Sequence, residues 1–404
     1  MVEEYDSLDT ATVFLFVGLI IGIGFIAMIV FRKTGISDVL LLVFVGALLG
    51  QLLNANDKIA LDDIASVFSA LAITVILFEG GMNLNIRRVI EDSPTAGLIA
   101  IISFILSSLL ITLFVSVIFE WDILKSLLLG SILGGSSSAI VIPLLMKLSI
   151  SAKITTVLTL ESAFTDALSI VISLSLVNFL IQTPDAIDAQ PVIQNTLGSF
   201  SVGAILGFAV GLLWLRILRS LADQPYDDIL TLSTVILLYG VAEFGGGSGA
   251  IAALVFGLIL GNGVEIGKML GNTTSVQASD VMRKFQSQMS FLIRTFFFVF
   301  LGIVVQVSNP LFIIAAISIT FIIIASRFIT VRAVVYKQEP NKSNITLMTF
   351  MLPRGLAAAV LSQLPEITKT LGYTEFPEIT LLVVILTIIV STVSIFFISK
   401  HNRN

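Results

Sequence analysis

The chain has 404 residues, 56% of them hydrophobic and 12% charged, with a mean hydropathy of +1.04. A soluble domain carries about 25% charged residues, so a water-soluble globule is excluded and a polytopic membrane protein is expected. Cysteine is absent and the single histidine is His401, which removes His/Cys metal sites, thiol nucleophiles, disulfides and any Ser-His dyad. The net charge of −5 is spread through loops, with no basic block for nucleic acid and no acidic tail.

The opening "MVEEYDSLDT" is acidic, and the apolar run behind it is too long and wrongly flanked for a cleaved signal peptide. It is expected to be retained as the first span. Apolar stretches long enough to cross about 30 Å of hydrocarbon are read at 12–31, 37–53, 62–82, 95–119, 124–146, 154–181, 196–219, 228–244, 248–264, 284–306, 310–334, 344–364 and 377–398, thirteen in all. The basic residues fit this spacing. Of the 22 Lys and Arg, alternate loops on one side hold only Lys58, Lys125 and Lys369, and three (Arg294, Arg327 and Arg354) fall within spans. The remaining sixteen, Arg87 and Arg88 among them, lie in loops on the other side. Because cytoplasmic loops concentrate Lys and Arg, the N-terminus is expected outside and the C-terminus in the cytoplasm of a cell-membrane protein.

Four carboxylates join those three arginines within spans: Glu79, Glu161, Asp166 and Glu243. On insertion scales each such group costs about 2.5–3.5 kcal/mol at the bilayer centre. Pairing four acids with three guanidiniums leaves one carboxylate free to take a proton or a metal cation.

In chain order, "LFEGGMNLN" sets Glu79 near a helix end, as a site group or as an interfacial cap. The fifth span carries "GGSSSA" at its middle, where Gly134 and Gly135 weaken a helix and Ser136, Ser137 and Ser138 offer oxygens to a cation. The alternative is a close helix crossing. In the sixth span, "ESAFTDALSI", the residues Ser162, Thr165, Asp166, Ser169 and Ser173 form one polar stripe, while Glu161 lies about 140° around the helix from Asp166. Asp166 is therefore expected in a hydrated cavity and Glu161 on a structural partner. Ser169 and Ser173 are read as hydrogen-bonding helix to helix. "AEFGGGSGA" around Glu243 reads as a tight turn, since it lacks the Lys-Ser/Thr of a P-loop and no strand precedes it. Arg294 and Arg327 are expected as structural partners. The twelfth span is interrupted by Pro353, Arg354 and Gly355 in "LPRGLAAAV". Two broken helices in matching positions of two halves point to a transporter site. The fold expected is an all-α bundle of two inverted six-helix repeats around a linker helix, with discontinuous crossing helices.

Five stretches, "LFEGG", the Glu161 to Asp166 "ESxxxD", "GxSGxxAxxxxGLxLGN" ending at Asn262, "RTFFFVFLG" from Arg294 and "PRGL" from Pro353, together resemble the NhaP-like branch of the monovalent cation/proton antiporters. The resemblance implies a homodimer whose core moves against a dimerisation domain and exchanges one Na⁺ or K⁺ for one proton, without net charge transfer. It places dimerisation segments at 1–90 and 226–308, core segments at 91–183 and 309–404, and a linker at 184–225. It implies that Asp166 with Ser162 is the cation and proton site, with Thr165, Ser136, Ser137 and Glu79 around it, and that Glu161 is salt-bridged to Arg354. Thr165 stands where the family usually has Asn, and the serines replace a Thr-Asp-Pro, a pattern closer to a Kef-like potassium branch. Neither cofactor nor enzyme chemistry is expected, and the tail or nucleotide-binding domain of some relatives is not expected behind the last span. A K⁺-selective antiporter and a cation channel are the alternatives.

Overall fold

The computed structural model describes residues 10–52, 55–84, 94–146, 148, 150–182, 190–220, 226–269, 280–305, 309–335, 341–367 and 373–401. Arg87, Arg88 and Lys369, used in the charge pattern, lie outside them. Among the described residues every regular element is a helix. Seven helices are long and apolar enough, by length and composition, to cross a membrane. Large apolar side chains point outward along them, for example Phe14, Leu15, Leu113, Ile205 and Phe321. A surface of this kind belongs in lipid.

One group of helices comprises α1 (Thr10–Thr34), α2 (Asp38–Leu52) and α3 (Ala55–Asn83) with the later α8 (Gln190–Ser220), α9 (Asp227–Phe244), α10 (Gly249–Gly261), a short α11 (Gly263–Met269) and α12 (Asp280–Val304). Here α10 packs on α3 and α8, and α12 on α2 and α3. Glycines set these separations. A Cβ on Gly46 of α2 would run into the Val299 carbonyl of α12, and one on Gly81 of α3 into the Leu254 carbonyl of α10. Small residues let backbones approach in this way, and dispersion supplies the attraction that the hydrophobic effect cannot supply in lipid. Between α9 and α10 the chain turns at Gly246, whose φ of +71° suits glycine. Glu243 accepts the Gly249 N–H at 2.8 Å and so closes the turn.

The other group holds two units of the same design. The first is α4 (Pro94–Ile118), α5 (Ile123–Ile132), α6 (Ser138–Leu145) and α7 (Ala152–Gln182). The second is α13 (Pro310–Val335), α14 (Lys342–Phe350), α15 (Leu356–Ile367) and α16 (Glu375–His401). In each, the middle segment is two half-helices separated by a break, at the Gly-Gly-Ser run in one and the Pro-Arg-Gly run in the other, as the sequence predicts.

The two breaks are closed by the same device. Thr165 Oγ1 of α7 accepts the Ser136 N–H at 3.1 Å, and four residues on, Ser169 Oγ donates to the carbonyls of Ser131 and Ile132 at 2.8 and 3.1 Å. In the second unit Thr387 Oγ1 of α16 accepts the Arg354 N–H at 3.0 Å, and four residues on, Ser391 Oγ donates to the Phe350 carbonyl at 2.9 Å. A broken helix in a membrane must have its freed backbone groups satisfied by neighbours. A Thr and a Ser one turn apart do so in both units.

One end of the two units is clasped together. The Lys125 ammonium of α5 lies 4.0 Å from the Trp121 ring centroid, 4.5 Å from that of Tyr373 and 3.4 Å from Glu375 Oε1 of α16. Burial pushes the Tyr373 phenol up, and the carboxylates of Asp122 and Glu375 add to it, while the ring face lies against the ammonium.

Candidate cation site at the crossed half-helices

The four half-helices meet where the breaks cross. Ser137 N–H donates to the Pro353 carbonyl at 2.8 Å, and Gly355 must be glycine because a Cβ there would strike the Ser137 side chain. On the first unit's side, a Cβ on Gly135 would come within 2.6 Å of the Thr165 carbonyl. Crossing half-helices bring two C-terminal ends, each equivalent to about −0.5 charge, close to N-terminal ends of opposite sign.

Arg354 answers the C-terminal ends. Its Nε donates to the Leu133 carbonyl at 2.8 Å and its Nη2 to Gly134 at 3.2 Å, both just past α5, while Nη1 donates to Leu352 at 3.0 Å, just past α14. Glu161 has a different partner from the one expected. It is locked bidentately to Arg327 of α13, with Nη1 to Oε1 at 2.9 Å and Nη2 to Oε2 at 2.8 Å, and both side chains are 1–2% exposed. Arg327 Nε further donates to the Met348 carbonyl of α14 at 2.7 Å. The pairing of Glu161 with Arg354 is thus corrected. Arg354 is spent on backbone carbonyls of the breaks, and the planar fork facing Glu161 comes from α13.

The three serines divide among three tasks. Ser137 has extended backbone, φ −86° and ψ 117°, which turns its neighbours to the opposite side from itself. Ser136 and Ser138 therefore face α7, while Ser137 faces the other break. Ser136 Oγ donates to Glu161 Oε1 at 3.2 Å. Ser138 sends both its N–H and its hydroxyl to Asp166 Oδ2, at 2.9 and 2.7 Å.

The expected ligand set is accordingly redrawn. Ser136 donates its N–H to Thr165 Oγ1 and its hydroxyl to Glu161, Ser137 belongs to the crossing, and Ser162 Oγ donates to the Thr159 carbonyl at 3.1 Å. Among the described residues, none of these four hydrogen-bonds Asp166. Glu79 sits on α3, with Ser290 and Arg294 of α12 as its polar neighbours. Arg294 in turn pairs with Asp38 at 3.2 Å. Asp38, at the start of α2, is the acid that the sequence arithmetic left out. Ser169 and Ser173 bond α7 to α5, the latter with Ser131 at 2.9 Å.

What remains is a carboxylate with one oxygen held and one open. Asp166 keeps part of its surface exposed, and among the described residues no group donates to Oδ1. Such an oxygen can hold a proton or ligate a desolvated cation.

A family model, "Sodium/hydrogen exchanger, transmembrane", matches residues 14–401. The chain belongs to the sodium/hydrogen exchanger family. Its likeness to the solved sodium proton antiporter MjNhaP1 from Methanocaldococcus jannaschii at pH 8 has a TM-score of 0.75 at 19% identity, covering 95% of this chain and 97% of that one, so the fold is shared. The K(+)/H(+) antiporter NhaP2 of Shewanella sp. (strain MR-4) is 27% identical over 263 residues, 64% of this chain and 45% of the relative. The Na(+)/H(+) antiporter ApNhaP of Aphanothece halophytica is 30% identical over 196 residues, 48% of this chain and 37% of the relative. The aligned part thus spans less than half the length of these curated relatives.

Proposed function

We propose that the chain is a secondary antiporter that exchanges a monovalent cation, Na⁺ or K⁺, for H⁺ across the cell membrane, with Asp166 as the site both ions share. The observation that carries this reading is the state of the two acids on α7. Glu161 is neutralised by a buried bidentate arginine, whereas among the described residues Asp166 accepts hydrogen bonds from the neutral donors of Ser138 alone, with Oδ1 open. A bare carboxylate is costly to carry through a low-dielectric region, so the site crosses when a proton or a cation fills it. Both occupants bring a single positive charge, which makes the exchange electroneutral at one for one. Relatives named as K(+)/H(+) and Na(+)/H(+) antiporters support the reaction class.

Alternating access divides the chain as the packing does. The units holding the breaks, α4–α7 and α13–α16, form the moving core, and the glycine-tight group of α1–α3 and α8–α12 forms the scaffold and the dimer contact. Between them Ile73, Ile76 and Leu77 of α3 meet Ile170, Ala357, Val360 and Leu361 of α7 and α15. Apolar side chains without polar anchors are suited to sliding. The N-terminus lies outside and the C-terminus in the cytoplasm, in line with the basic loops.

Proteoliposomes with an imposed pH gradient and acridine orange test the reading, with Na⁺, K⁺ and Li⁺ added in turn. Wild type should dequench the dye, and Asp166→Asn should not. Cation flux that ignores the pH gradient would replace the antiporter with a channel, and exchange that survives Asp166→Asn would remove Asp166 from the mechanism.

A further inference from the structure

We propose that Ser138 sets the cation preference of the site, tilting it toward K⁺ and away from Na⁺ and Li⁺; this rests on the antiport reading with Asp166 as the shared ligand. Among the described residues, Ser138 is the one whose hydroxyl reaches Asp166, at 2.7 Å, and its own N–H donates to the same oxygen at 2.9 Å. The hydroxyls of Ser136 and Ser162 are committed elsewhere, to Glu161 and Thr159, and the Ser137 side chain sits on the other side, packed against Gly355 at the crossing.

A hydroxyl-to-carboxylate bond of this length is charge-assisted. Two such donors on Oδ2 draw negative charge out of the carboxylate and lower the field it presents at Oδ1. Field strength decides between alkali cations, because each must trade its hydration shell for the site's ligands. A small ion such as Li⁺ or Na⁺ gives up more hydration and needs a strong anionic ligand in return. The larger K⁺ gives up less and tolerates a weaker one. The fixed charges around Asp166 are Glu161, which is already paired with Arg327, and Arg354, whose guanidinium is turned to carbonyls. Neither adds a second anionic oxygen to the field. The hydroxyl of Ser138 is then the adjustable part of the ligand, and the amide the fixed part.

The experiment measures KM for Na⁺, K⁺ and Li⁺ at one pH in the acridine-orange assay, for wild type, Ser138→Ala, Ser138→Gly, Ser138→Thr and Asp166→Asn. Removing the hydroxyl in the Ala and Gly variants should shift the ratio of KM for K⁺ to KM for Na⁺ toward Na⁺ by about threefold or more, part of the value of a hydrogen bond to a charged group. Ser138→Thr, which keeps the hydroxyl, should retain the wild-type ratio. The Gly variant keeps the amide donor and guards against a packing effect of the alanine methyl, and elution as a single detergent-solubilised species checks folding of each variant. An unchanged ratio in both hydroxyl-free variants, a shift toward K⁺, or a Thr variant that behaves like them would overturn the role of Ser138 while wild-type exchange and a dead Asp166→Asn leave the antiport reading standing. Absence of exchange in wild type, or its survival in Asp166→Asn, would instead remove the functional reading on which the proposal rests.

Discussion

The Glu161–Arg327 pair offers a sharp energetic test, because the competing partner Arg354 lies in the same core. Both charges are almost wholly buried, with two hydrogen bonds of 2.9 and 2.8 Å between them. Removing one partner of such a pair strands the other in low dielectric, at about 3–5 kcal/mol. Glu161→Leu and Arg327→Met should each carry a cost of that order. The double variant, with both charges gone and volume roughly kept, should cost no more than either single variant, for a coupling energy of about 3 kcal/mol or more. The parallel cycle with Arg354→Gln should behave differently. Arg354 loses three carbonyl partners when replaced, a loss largely independent of Glu161, so the coupling should be about 1 kcal/mol or less. Unfolding free energies from SDS titration of mixed micelles measure all of these. Additive losses at Glu161 and Arg327, or an equal coupling to Arg354, would refute the assignment of the ion pair.

The matched closure of the two breaks predicts a matched cost. Thr165→Val and Thr387→Val keep shape but remove the acceptors of the Ser136 and Arg354 amides, so each should destabilise by about 1–3 kcal/mol in the same titration. Glycines should separate by environment. Gly46→Ala forces the α2 and α12 backbones apart and should cost about 1–3 kcal/mol. Gly22→Ala, where a Cβ meets nothing within 4 Å, should leave stability unchanged or raise it by about 0.5–1 kcal/mol, since a mid-helix glycine is replaced.

Much of this arrangement is legible in the sequence, for physical reasons that also mark where legibility ends. Apolar run length is fixed by bilayer thickness, so the helices fall close to the expected stretches, and the Gly134-Gly135 and Pro353-Arg354-Gly355 runs interrupt their helices. Asp166 stands out because a carboxylate in an apolar helix is expensive. The partner of Glu161 does not, since a helical wheel gives its direction on α7 but not which of the three intramembrane arginines meets it. The value of Ser138 is hidden for a similar reason. Three identical residues in a row carry no signal of which faces which way until the extended backbone at Ser137 alternates them. The repeat was present in the sequence, however, as Thr165 with Ser169 and Thr387 with Ser391.

That repeat also explains why Asp166 is left without a guanidinium at the crossing. Superposing the two devices makes Arg354 the counterpart of Ser136, since each donates its amide to the Thr of its own unit. One residue beyond the Thr, Asp166 has Ile388 as its counterpart, fully buried and apolar. The backbone solution to a broken helix is therefore shared, while the charges are not. The second unit contributes a guanidinium spent on the C-terminal ends of α5 and α14, and the first contributes a carboxylate whose Oδ1 nothing among the described residues fills. Had the symmetry extended to the charges, acid would face acid or the site would be closed by an internal ion pair. Breaking it leaves one oxygen of the Asp166 carboxylate open within a frame whose other charges are paired, and in the proposed antiport mechanism a mobile ion fills that place.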